Sequence, residues 1–81
     1  MTSGSLDTPV PGKVAKVYVK SNQKVRSGDV LAVIEAMKME HSIISPFDGT
    51  VKEISVREGE QVDEGYTIAE IEKSKLGDIN E

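Results

Sequence analysis

The sequence predicts an all-β domain: about eight short strands in two packed antiparallel sheets, with no helix of consequence. Three observations carry this. An internal repeat runs through the chain, in which Gly12, Val14, Val17, Val19, Val25, Gly28, Leu31, Ala32, Ile34 and Glu35 recur without insertion as Gly49, Val51, Ile54, Val56, Val62, Gly65, Ile68, Ala69, Ile71 and Glu72. The apolar runs are short and rich in Val and Ile, as half-buried strands are. Pro9, Pro11 and Pro46 punctuate the starts of the two halves. Neither half can bury its apolar face alone, so two copies of one unit are expected to pack about a pseudo-dyad.

Taken in order, residues 1–5 are small and polar and read as a linker or expression remnant, leaving residues 6–73 as the folded domain. Positions 14, 17 and 19 break strict alternation in the same way as 51, 54 and 56, which predicts a bulge shared by the two long strands. Asn22 and its counterpart Gly59 sit in polar turns and are the residue types that best tolerate left-handed backbone. Gly28 and Gly65 each precede a strand and mark tight turns. Val30 to Ile34 reads as a buried strand and Ser42 to Ser45 resumes a strand pattern, so the chain must reverse between them. Residues 74–81 are polar and read as a flexible tail.

Composition narrows the function. An 81-residue chain forms one small domain, without room for a second catalytic lobe. A net charge of −4 and the lack of a basic patch argue against nucleic acid or an anionic membrane as partner. The longest apolar run is too short to span a bilayer and no signal-peptide pattern precedes it, so an intracellular protein is expected. Without cysteines there are no disulfides, thiolate metal sites or thiol catalysis. His41 is the sole histidine and has no second ligand at metal spacing, which leaves it as a half-exposed strand residue. Glu35, Glu40, Glu70 and Glu72 read as a solvated face.

The unusual stretch is Glu35-Ala36-Met37-Lys38-Met39-Glu40. It falls at the strand reversal, where a two-residue turn normally recruits Asn-Gly or Asp-Gly because positive φ is costly with a Cβ. Methionines there place flexible apolar surface in water beside an amine, which points to recognition. Ala36-Met37-Lys38-Met39 resembles the attachment motif of biotinyl domains, the biotin carboxyl carrier modules of biotin-dependent carboxylases. The resemblance covers about residues 6–73. It implies a flattened β-barrel of two four-stranded sheets with quasi-twofold symmetry and biotin carried covalently on Lys38.

It further implies that Glu35, Ala36, Met37, Met39 and Glu40 form the recognition flank for a biotin protein ligase. Lys38 would act as a non-catalytic arm between biotin carboxylase and carboxyltransferase partners, in the cytoplasm or mitochondrial matrix. The isolated domain is expected to be monomeric. Met39-Glu40-His41-Ser42-Ile43 looks most like the carrier of methylcrotonyl-CoA carboxylase. Two other readings share the fold: a lipoyl carrier, which typically has other residues around its lysine, and an unmodified hairpin-barrel structural module. Mapping Lys38 through the repeat lands on both chain ends, so the termini are expected at the pole opposite the lysine.

Overall fold

The structure, a computed structural model, describes residues 3–74. Eight strands follow in order: β1 (Ser3–Asp7), β2 (Gly12–Val17), β3 (Lys24–Val25), β4 (Val30–Ala36), β5 (Met39–Ile44), β6 (Gly49–Ile54), β7 (Gln61–Val62) and β8 (Thr67–Lys73). They form two antiparallel four-stranded sheets, ordered β1-β8-β6-β3 and β5-β4-β2-β7. Moving each strand by one repeat converts one sheet into the other, with β1 standing where β5 stands.

The core follows from the repeat. Val14, Leu31, Ala32 and Ile34 of the first half and Val51, Ile68, Ala69 and Ile71 of the second have no exposed surface, and each residue is the repeat mate of one in the other half. Burying these apolar groups is the dominant favourable contribution to folding. The shared bulge is present: the register between β2 and β4 shifts between Val14 and Lys16, and that between β6 and β8 shifts between Val51 and Glu53. An extra residue at each place increases local twist. The turns repeat as well. Asn22 and Gly59 have φ of 74° and 92°, and Gly28 and Gly65 have φ of 93° and 84°.

The expectation that residues 1–5 lie outside the fold is corrected at Ser3 to Ser5. These residues pair with Glu72 to Glu70 as part of β1. Their side chains carry little strand signal, but β8 has an open edge whose backbone groups need partners, and any extended segment can supply them. Residues 1, 2 and 75–81, including most of the expected tail, are outside the described residues.

The first and last described residues, Ser3 and Ser74, lie at the pole opposite the hairpin tip. Ser74 N donates to Asp48 O at 2.9 Å, Ser27 N donates to Asp48 Oδ1 at 2.8 Å, and Gly28 N donates to Ser45 O at 2.7 Å. This chain of contacts ties the carboxyl-terminal side of β8 to the base of the β4–β5 hairpin. Ser3, paired with Glu72, is at the same end. From that base β4 runs its seven residues to the tip, about 23 Å at ~3.3 Å per residue.

Candidate functional site

The hairpin closes pair by pair toward its tip. Ile34 faces His41, Glu35 faces Glu40 and Ala36 faces Met39 across β4 and β5, which leaves Met37 and Lys38 as the two-residue connection. Their φ values are 52° and 65°. Positive φ at both central residues is the requirement of a type I′ turn, whose twist matches that of the flanking strands. The turn forms despite its sequence, because Ala32, Ile34 and Ala36 are buried on β4 and Ile43 on β5, and their burial holds the register.

Exposure alone does not distinguish Lys38, since all seven described lysines are exposed. Conformation does. Among the described residues Lys38 is the lysine with left-handed backbone, and Asn22 and Met37 are the other non-glycine residues that share it. Its neighbours are equally unusual: Met37 is 93% and Met39 61% exposed, while Ala36 just below them is buried. Glu35 and Glu40 are exposed below the turn. The six residues from Glu35 to Glu40 are therefore brought together at one apex.

The turn residues Asn22, Gly28, Gly59 and Gly65 are not part of that apex. They shape the loops before β3, β4, β7 and β8. His41 is half-buried on β5. Glu70 and Glu72 are half-buried too, and Lys52 Nζ approaches a Glu70 oxygen at 3.9 Å, so these two are less solvated than their alternation predicts. Among the described residues no cluster of three His, Cys, Asp or Glu could hold a metal. Two open surface grooves, of about 660 and 380 Å³, include no hairpin residue in their walls. Among the described residues no helix is long and apolar enough to cross a membrane.

Sequence reasoning missed one positioning residue. Gly12 opens β2 against the end of β4, where a Cβ would run into Glu35 O and approach Ile34 Cγ2 at 3.0 Å and Ala36 Cβ at 3.1 Å. The tip end of β4 can sit this close to β2 only over a glycine. Gly49, its repeat mate, stands against Glu72 O in the same way. The signal was present in the repeat, where both positions are glycine without being turns.

A twofold β-barrel that holds a lysine out at the apex of a left-handed hairpin turn suits a carrier domain. Comparison with known proteins agrees: residues 4–71 match the family model described as "Biotin-requiring enzyme". The chain belongs to this family, as a carrier domain whose cofactor is biotin. It is 48% identical over 42 residues to the glutaconyl-CoA decarboxylase gamma subunit of Acidaminococcus fermentans, covering 52% of this chain and 29% of that protein. It is 50% identical over 42 residues to the mitochondrial methylcrotonoyl-CoA carboxylase alpha subunit of Dictyostelium discoideum, covering 52% of this chain and 6% of that protein. Among solved structures, the urea carboxylase of Kluyveromyces lactis matches 88% of this chain and 6% of its own, with a TM-score of 0.80 and 28% identity. The matched segments are thus a small part of much longer proteins.

Proposed function

We propose that Lys38 is the biotin attachment site and that the domain carries a carboxyl group between a biotin carboxylase site and a carboxyltransferase site. The single observation behind this reading is the apex itself, which holds out one amine between two exposed methionines in a chain of the biotin-requiring family. The residues fit the group. An amide-linked cofactor needs an amine that acylation can neutralise without leaving a buried charge unpaired, and Lys38 is exposed.

An alkylammonium is protonated at neutral pH and has no lone pair, so Lys38 must lose a proton and meet an activated acyl donor. Its nitrogen then forms the amide bond as the donor's acyl–oxygen bond breaks and the adenylate leaves. Met37 and Met39 offer apolar surface for a biotin protein ligase to grip, and the paired strands below fix where that surface points. Biotin, when bound, supplies a ureido nitrogen that takes up and releases a carboxyl group. The scaffold's contribution is effective concentration, since Ser3 and Ser74 lie at the far pole while the apex reaches both partner sites.

The parent enzyme in this reading is an acyl-CoA carboxylase of the methylcrotonyl-CoA type, in the cytoplasm or mitochondrial matrix. The similarity to the Dictyostelium subunit supports it. Co-expression with a biotin ligase followed by a streptavidin blot tests the attachment. Wild type gives a signal and Lys38→Arg gives none, while Lys13→Arg and Lys73→Arg keep it. A signal that survives Lys38→Arg refutes the assignment.

A further inference from the structure

We propose that Met37 and Met39 form a reversible oxidation site that lowers acylation of the intervening lysine without unfolding the domain. The proposal rests on Lys38 being the acceptor. Three observations lead to it. The chain has three methionines and no cysteine, so its oxidisable sulfur is concentrated at the apex, with only Met1 elsewhere. Both apex methionines are open to solvent, with 93% and 61% of the residue exposed. The repeat also supplies an internal control: the mates of Met37 and Met39 are Ser74 and Thr2, so the scaffold does not require sulfur at these two positions.

The chemistry needs a peroxide as oxidant. A thioether lone pair attacks one oxygen of hydrogen peroxide, the S–O bond forms as the O–O bond breaks, and the proton on the attacked oxygen passes to the displaced hydroxide, which leaves as water. Sulfur loses two electrons and the peroxide gains them. The resulting sulfoxide is polar and chiral where the thioether was apolar and flexible. A thiol-dependent sulfoxide reductase reverses the change, with two thiols becoming one disulfide and the oxygen leaving as water.

Location makes this a switch rather than damage. A buried methionine loses core packing when oxidised, but Met37 contributes almost nothing to this core. The lost apolar contact falls instead on whatever grips the apex. Lys38 keeps its place, because the turn is held by Ala36, Ile34 and Ile43 beneath it.

The test treats the 81-residue chain with hydrogen peroxide and locates the added oxygens by peptide mass spectrometry. It then measures initial biotinylation rates with a biotin ligase, biotin and ATP, alongside thermal melts. The expected result is sulfoxide at both methionines, a melting temperature changed by less than about 3 °C, and an acylation rate lowered about fivefold or more. Reductase treatment restores that rate. A Met37→Leu/Met39→Leu variant, apolar but without sulfur, is expected to keep its rate after peroxide. An unchanged rate in oxidised wild type, unfolding on oxidation, or equal loss in the leucine variant overturns the proposal. Untreated wild type that takes no biotin while folded points instead to failure of the Lys38 assignment, and the proposal falls with it.

Discussion

At Met37 the backbone conformation runs against the stability of the turn. Its φ of 52° places a side chain where glycine is at ease, and left-handed backbone costs an ordinary residue about 1 kcal/mol or more. Met37→Gly is therefore expected to stabilise the domain by about 1 kcal/mol, raising the melting temperature by roughly 4–8 °C for a domain of this size. The same change removes half of the apolar flank, so under the proposed attachment at Lys38 biotinylation is expected to slow. Thermal melts and biotinylation rates measured side by side check both halves of the trade. Gly12 is the opposite case, because Glu35 O leaves no room for a Cβ. Gly12→Ala and Gly49→Ala are each expected to destabilise by about 1–3 kcal/mol through overpacking, read from urea midpoints.

Between elements, the connections β1–β2 and β5–β6 carry a pair of buried hydroxyls. Thr8 Oγ1 donates to Val10 O and Ser45 Oγ donates to Phe47 O, each at 2.6 Å, and the two residues are 1% and 0% exposed. Each closes the bend that carries the chain from one sheet to the other. Removing a buried donor leaves its carbonyl partner unsatisfied, at about 1–3 kcal/mol. Thr8→Val and Ser45→Ala are accordingly expected to lower stability by similar amounts, checked by denaturant titration. Their role was legible only in outline. Both precede a proline and are repeat mates, but a hydroxyl before proline is common in exposed turns, and burial comes only from the second sheet closing over it. The strand β1 was illegible for a related reason: its pairing is made by backbone atoms, which the residue pattern does not record.

Across the whole molecule, the apolar register is duplicated while the charges are not. Residues 12–35 hold Lys13, Lys16, Lys20, Lys24 and Arg26 against Asp29 and Glu35, whereas residues 49–72 hold Lys52 and Arg57 against Glu53, Glu58, Glu60, Asp63, Glu64, Glu70 and Glu72. The fold tolerates that divergence because charged surface positions contribute little to packing. Every sheet is assembled from strands of both halves or from distant segments, such as β1 with β8 and β2 with β7. Loop closure must precede most of the stabilising contacts, so folding is expected in the range of about milliseconds to seconds. Stopped-flow refolding, with a single exponential, checks this.

The amino-acid sequence by itself determined the fold class, the duplicated core, the paired turns and the place of Lys38 at a strand reversal, because each depends on local residue type or on spacing that repeats. Tertiary structure alone decided three things: that Ser3–Asp7 completes a sheet edge, that Gly12 lets β2 close on the tip end of β4, and that Met37 and Lys38 adopt the left-handed turn. In each case the deciding contact joins atoms far apart in the chain. At the hairpin tip, packing of the paired strands overrides the preference of the residues that make the turn.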